Sequence, residues 1–489
     1  MDPLSLSARD LAAGLRHRRI SAREVLEAHF ARIDAVNPTV NAVVTQVREQ
    51  AHAQALAADE HAAVTAPEDL PPLHGIPMTH KDTHATAGIR TTSGSPIFAD
   101  LVPRDSDAVI ERFQRAGVIS TGKNNVPEFA AGSHTYNEVF GTTLNPYDLS
   151  RSAGGSSGGA AVTLATRIQP LADGSDMGGS LRNPAAFNNV VGFRASHGVV
   201  PNVPARDPRA WLGQKGAMAR SVEDVILALS VIAGPDPRSP VWCPTPAGAF
   251  SSLLAEEVGR PLAGVRVAVT TDFGLDVPVE GEVAGVVLRE AEVLAELGAS
   301  VVPACPRLRD ADRVFEATRA FDMALSLREV VAGHPGQVKD EVIWNVERGV
   351  ALTAEDLMEV AVARGRLDQE IGRFFGTDGA DPSGGGAKGG TGYDVLLAPT
   401  TQLVPFPAEW TWPQEVAGER MGTYVEWMRS ATLISATGCP AISVPGGFTA
   451  AGLPVGLQFV GAPGRDVDLL RVARAYDEAT RHAERAPAI

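Results

Sequence analysis

RSAGGSSGGAAVTLATRIQPLADGSDMGGSLRNP, residues 151–184, carries two glycine-flanked serine clusters, Gly154-Gly155-Ser156-Ser157-Gly158-Gly159 and Gly178-Gly179-Ser180. Glycines around a serine remove the Cβ atoms that would block close approach, and they admit backbone angles closed to other residues, so a ligand can touch main-chain N–H groups directly. A flexible Gly/Ser linker has a similar composition. These clusters, however, border the apolar runs 160–165 and 168–172, which must be buried. The intervening segment is long enough for one short helix and one buried strand.

Two other motifs compete for the stretch. A phosphate-binding loop requires G-x-x-x-x-G-K-[ST], and no lysine follows either cluster. Gly154 to Gly158 also matches G-x-S-x-G, the nucleophile elbow of α/β-hydrolases, but that elbow needs a strand just before it. Residues 145–151, Asn-Pro-Tyr-Asp-Leu-Ser-Arg, read instead as a turn.

Taken together the clusters resemble the amidase signature family, whose members carry a GGSSGG segment and, further on, G-S-D-x-G-G-S. Ser156 and Ser180 lie 24 positions apart, as in that pattern. Upstream, Gly75-Ile76-Pro77-Met78-Thr79-His80-Lys81-Asp82 is similar to the family's lysine segment, with Lys81 placed 75 positions before Ser156. Looser similarity runs through Arg194 and again over 436–480. The resemblance implies one large α/β domain over 1–489, with a central mixed β-sheet covered by helices on both faces. Its expected parts are an N-terminal helical part (1–65), a signature core (70–235) and a variable substrate-pocket region (310–430). The last of these includes a flexible glycine-rich surface insertion at 376–392.

The same resemblance implies the site. Ser180 is expected to be the nucleophile, Ser156 a bridging serine preceded by a cis peptide, and Lys81 the base. Backbone N–H groups at Met177, Gly178, Gly179 and Ser180 are expected to form the oxyanion hole. Ser157, Ser175, Asp176 and Arg182 would support the site, the last two as an ion pair holding the nucleophile turn. Gly132 and Ser133, in the segment 128–136, would line the substrate cavity. No metal or cofactor is implied. The activity implied is hydrolysis of a carboxylic amide, with esters also accessible to the same acyl-enzyme chemistry.

Amide hydrolysis needs an activated nucleophile, an oxyanion site and a proton donor for the leaving amine. A lysine starts near pKa ~10.4, so an appreciable neutral fraction at neutral pH requires a drop of roughly 3, or about 4 kcal/mol, which dehydration can supply. Ile76, Pro77 and Met78 suit a dry site, whereas Asp82 would oppose it if its carboxylate faced the amine. His80, His84 and His134 are the histidines a Ser–His mechanism would draw on. His80 stands where a small or aliphatic residue is more usual in the family. Met177 replaces the usual threonine, and Asn188-Asn189 stands where Cys-Gly is frequent.

Composition narrows the partners. The chain has 489 residues, 44% hydrophobic and 21% charged, enough for a large core. A net charge of −15 disfavours a nucleic-acid groove or an anionic membrane surface. Three cysteines without C-x-x-C spacing fit a reducing cytoplasm. The N-terminus lacks the pattern of a secretory signal, and no run of 18 apolar residues occurs. The small-molecule amide that the resemblance implies remains the expected partner, and the N-terminal helices could clasp either the main body or a second copy in a homodimer.

Along the chain, Ser21 with Glu24 forms a capping box ahead of Val25, Leu26, Phe30 and Ile33 at helical spacing. Helices are expected over 107–116, 221–232 (amphipathic), 281–297, much of 310–375, and 466–479. Strands are expected over 118–123, 265–270, 393–400, 440–445 and 455–460, with 118–123 giving the alternation of an α/β sheet. Phe321, Trp344, Trp410, Trp412, Tyr424 and Trp427 supply bulky apolar surface in the variable region and tilt the expected substrate toward aryl or alkyl amides. The ammonia-releasing component of glutamine-dependent amidotransferases is the relative to exclude. It usually carries Leu-Asp-Gln-Ile-Gly-Pro, where this chain has Leu212-Gly213-Gln214-Lys215-Gly216-Ala217. A catalytically idle scaffold would have lost Lys81, Ser156 or Ser180, and all three are present.

Overall fold

The computed structural model describes residues 3–246, 248–257, 259, 261–377 and 392–489. Residues 378–391 of the glycine-rich insertion lie outside the described residues. The N-terminal part forms helices Ala8–Arg16, Ala22–Val40 and Arg48–Val64, with a strand, Val43–Gln46, that helical periodicity does not reveal. Ser21 caps the second helix as expected: its Oγ accepts from the Glu24 N–H at 3.2 Å, and the Glu24 carboxylate accepts from the Ser21 N–H at 2.8 Å. The first helix is clasped to the main body by buried Asp224, which accepts from the Ala8 and Arg9 N–H groups at 2.9 and 3.1 Å. Both donors belong to a first turn that has no intrahelical partners for them.

The principal sheet has eight strands in the order 300–303, 266–269, 395–399, 454–460, 441–448, 191–194, 214–219, 171–176. Arg266–Val269 pairs in parallel with both Ser300–Pro303 and Val395–Pro399, and the other pairs are antiparallel. Successive side chains of a strand face opposite sides. In the central strand Val395 and Leu397 join one apolar cluster while Leu396 and Ala398 join the other, so both faces are covered. That is why the run reads as uniformly hydrophobic.

Three local expectations change, and one strand is unanticipated. Pro77–Lys81 and Ile119–Asn124 do not enter the principal sheet. They pair in parallel with each other, and Val43–Gln46 pairs antiparallel to the second, in a separate three-stranded sheet. Residues 145–151 are not simply a turn, because Leu144–Asn145 and Asp148–Ser152 form a small hairpin. A strand does therefore precede the first serine cluster, but it is a hairpin arm rather than a principal-sheet strand. Gln214–Ala219 is a strand that its mixed composition conceals. The helix Val222–Ile232 is buried on nearly every side rather than amphipathic, because it lies under Ala8–Arg16 and against Asp466–Thr480.

The variable region folds as helices Ala311–Gly333, Asp340–Ala351 and Ala354–Phe375. The first two pack together closely because Gly349 lacks a side chain: a Cβ there would meet the Ala320 carbonyl and the Ala324 methyl group. Gly349→Ala is expected to destabilise this helix pair by about 1–3 kcal/mol, the usual effect of overpacking a tight contact. A lowered thermal midpoint by calorimetry checks it; an unchanged midpoint would mean that the two helices can separate freely.

Candidate active site

Lys81 ends the strand Pro77–Lys81, every residue of which is buried. Its Nζ lies 2.8 Å from Ser156 Oγ, 2.9 Å from Ser157 Oγ and 3.0 Å from Ser175 Oγ. Hydroxyls both donate and accept, so three of them satisfy an ammonium with three N–H bonds equally well as a neutral amine with two N–H bonds and a lone pair. Burial lowers the Lys81 pKa to about 7, assisted by the charge of Lys215, with Asp173 and Asp176 opposing. Asp82 is turned away. Its carboxylate accepts from the Thr92 N–H and Oγ–H, the latter at 2.5 Å.

Two groups that motif reading missed hold this strand in place. Asp173, on Leu171–Asp176, accepts from the Lys81 backbone N–H at 3.0 Å, and lies 2.6 Å from His80 Nδ1 and 2.7 Å from His84 Nδ1. Burial disfavours the Asp173 carboxylate, but His80 and His84 outweigh it and hold its pKa well below the usual range. His84 is itself driven down to about 4 by burial, then by Lys215. Buried Lys123 donates to Thr86 Oγ at 2.8 Å and to the carbonyls of His84 and Lys81. A charged residue closing a stretch that reads as a buried strand, as Lys123 does 118–123, or standing just after one, as Asp173 does after 168–172, is the signal that could have marked both. The two sheets thus meet at Asp173, and Lys81 projects from their junction.

The first serine loop is fixed from outside. The Gly155–Ser156 peptide is cis. Ser133 Oγ donates to the Gly155 carbonyl at 2.5 Å and Thr135 Oγ to the Gly154 carbonyl at 2.7 Å. Gly158 must lack a side chain because a Cβ would overlap Thr135. The Ser157 N–H donates to the Ser180 carbonyl at 3.2 Å, tying the two serine loops together.

The second loop turns around a buried Asp176. Its Oδ1 accepts from the Gly179 N–H at 2.9 Å and from Arg182 Nη2 at 2.9 Å, and its Oδ2 accepts from the Leu181 N–H at 3.1 Å. Burial opposes ionisation of Asp176, yet Arg182 and then Arg194 hold its pKa far below the usual range. Arg182 is fully buried and also donates to the Ala431 carbonyl and to Ser435 Oγ, at 3.1 and 2.6 Å. The expected Asp176–Arg182 ion pair is therefore present as a loop anchor. Gly179, at φ +105°, has no room for a Cβ against Asn183 and Ala431.

Ser156, Ser175, Asp176, Met177 and Ser180 open on one cavity of about 340 Å³. The Ser156 and Ser180 hydroxyls are not hydrogen-bonded to each other. The rest of its lining comes from Phe129, from the segment 202–214, and from helix Ala311–Gly333 through Arg319, Asp322, Met323 and Leu327. Gly132 and Ser133 do not line it, and Ser133 instead positions the Gly155 peptide. None of the six aromatic residues singled out in the variable region lines it either. Trp427 is core, Phe321 and Trp410 are exposed, and Trp344, Trp412 and Tyr424 border a separate cavity with Lys339. His134 meets Ser152 and the Ala408 carbonyl, and none of the three candidate histidines bonds to Ser156 or Ser180.

Among the described residues no helix is long and apolar enough to cross a membrane. The family model described as Amidase matches residues 24–470. An acylamidase of Rhodococcus erythropolis is 33% identical over 99% of this chain and 97% of its own length. The A-type component of a glutamyl-tRNA(Gln) amidotransferase from Synechococcus sp. is also 33% identical, over 99% of this chain and all of its own. The crystal structure of a bacterial aryl acylamidase of the amidase signature family superimposes with a TM-score of 0.87 at 26% identity, covering 99% of this chain and 98% of that one. The chain belongs to the amidase family of amide-hydrolysing enzymes.

Proposed function

We propose that the protein hydrolyses a carboxylic amide through an acyl-enzyme on Ser180. The observation that carries the proposal is a fully buried lysine whose Nζ has three serine hydroxyls within 3.0 Å. Neutral Lys81 takes the proton of Ser156 as Ser156 takes that of Ser180, whose oxygen attacks the carbonyl carbon. The oxyanion falls to backbone N–H groups of Met177, Gly178 and Ser180, since that of Gly179 is committed to Asp176. As the C–N bond breaks, the relay runs backwards and delivers the proton to the departing amine. Water, deprotonated by the same chain, then splits the Ser180 ester and releases the carboxylic acid. Contact between the Ser156 and Ser180 hydroxyls belongs to the substrate complex, where catalytic hydrogen bonds commonly tighten.

The apolar acyl or aryl part of the substrate fits against Phe129, Met177, Met323, Leu325 and Leu327. Likeness to an acylamidase and an aryl acylamidase supports that choice. A second reading, release of ammonia from glutamine, is favoured by the 33% identity to the amidotransferase component over 99% of the chain. Absence of the Leu-Asp-Gln-Ile-Gly-Pro segment speaks against it. A panel of anilides, alkyl amides, esters and glutamine, read by mass spectrometry, separates the two.

Ser180→Ala is expected to lower kcat by roughly 10⁴–10⁶-fold, as loss of a nucleophile does. A fluorophosphonate should add its mass to the peptide carrying Ser180 in the unmodified protein; labelling on another residue would overturn the assignment. The active form of Lys81 is the neutral amine, so kcat/KM should rise with pH through about 7 and level above it. A profile that falls as pH rises through that region would contradict Lys81 as the base. Lys81→Met should cost on the order of 10²–10⁴-fold in kcat, the range of a general base.

A further inference from the structure

The cavity that the serines line also holds a carboxylate with a buried, unpartnered oxygen. Asp322, on Ala311–Gly333, has a buried Oδ2 without a hydrogen-bond partner, and no described residue hydrogen-bonds or ion-pairs with either of its oxygens. A buried polar group is nearly always satisfied, and a carboxylate more than most, so an orphan in a substrate cavity calls for an external partner.

The neighbouring charges are already committed. Asp176 pairs with Arg182 at 2.9 Å, Lys215 with Asp107 at 3.3 Å, and Arg206 with Glu329 at 3.0 Å. Asp207 accepts from the Arg209 N–H at 2.8 Å. Arg319, one helical turn before Asp322, is the natural partner by spacing. Its guanidinium instead donates to Tyr424 Oη at 2.8 Å, Asn345 Oδ1 at 3.2 Å and the Met177 sulfur at 3.4 Å. Asp322 is thus the one ionisable group on this cavity, among the described residues, that lacks a partner.

Building on the hydrolase reading above, we propose that Asp322 determines specificity by binding a cationic ammonium group on the substrate, so that the enzyme selects amides carrying a free amine away from the scissile bond. Ser180 and Asp322 line the same cavity of about 340 Å³, so one small molecule can reach both. Burial, and then the charge of Asp207, push the Asp322 pKa up to about 7, with Arg319 opposing. A bound cation reverses that shift and so gains more from Asp322 than from a solvated carboxylate. Apolar side chains on the same cavity, Met177 and Met323 among them, suit the methylene chain of an ω-amino compound.

The test compares matched pairs in which an ammonium replaces a methyl group, once on the acyl side (ω-aminoacyl against n-alkanoyl anilides) and once on the amine side (N-acetyl diaminoalkanes against N-alkyl acetamides). In at least one pair the wild-type enzyme should prefer the amine-bearing member. Asp322→Asn should lower kcat/KM for that member by roughly 10–100-fold, the worth of a charge-assisted hydrogen bond, and leave the neutral member within about threefold. Asp322→Glu should restore part of the preference. Hydrolysis of neutral or carboxylate-bearing anilides with no ammonium preference, or equal losses for both members in Asp322→Asn, would overturn the inference and leave the hydrolase reading standing. If nothing in either pair is turned over and fluorophosphonate does not label Ser180, the hydrolase reading fails. Calorimetric binding of the same pairs to Ser180→Ala then decides Asp322 separately: tighter binding of the ammonium member, lost on adding Asp322→Asn, supports it, and equal binding overturns it.

Discussion

A lysine amine buried from solvent and enclosed by three serine hydroxyls sets the terms for everything near it. An ammonium in that position is disfavoured by dehydration, and its own strand brings no compensating carboxylate, because Asp82 is bound to Thr92. Asp173, on the neighbouring sheet, is occupied by the Lys81 main-chain N–H and by two histidines. Its charge still favours the ammonium, but burial of the amine outweighs it. The effect is a base whose proton affinity sits near neutrality, held by backbone and hydroxyl contacts that do not depend on its being charged.

That arrangement needs two rigid platforms. The lysine comes from a small sheet and the serines from loops at the edge of the large one, so the site exists only where the sheets meet. His80, Asp173 and Lys123 make that junction, and the Asp176–Arg182–Arg194 cluster fixes the loop carrying Ser180. A buried ion pair contributes little net stability but imposes a definite geometry, and removing one partner leaves an uncompensated charge. Here the geometry is that of a turn whose Gly179 N–H is consumed by the anchor.

Much of this was legible in the chain itself. The spacing of Lys81, Ser156 and Ser180 and the glycines around them pointed to the family and to the group of residues that gathers at the site, and capping and periodicity located most helices. What stayed hidden depends on non-local contacts. No local pattern distinguishes a strand bound for a three-stranded sheet from one bound for the eight-stranded sheet, so 77–81 and 119–124 could not be assigned from their own residues. Asp173 and Lys123 carry no motif and show only as polar residues in buried strands. The cavity wall is assembled from 202–214 and one face of 311–333, whose residues are scattered in sequence. The large aromatics drew attention by size, yet Trp427 fills core, Trp344, Trp412 and Tyr424 border another cavity, and Phe321 and Trp410 are exposed, because bulk alone does not predict contact with a ligand.

The state of the Lys81 amine can be observed directly by heteronuclear NMR of the enzyme labelled at its lysine side chains, followed across a pH titration. The account predicts one lysine ε-methylene resonance titrating near pH 7 and disappearing in Lys81→Met. A Lys81 resonance that stays in its protonated position until the pH approaches the ~10.4 of a free lysine would contradict it.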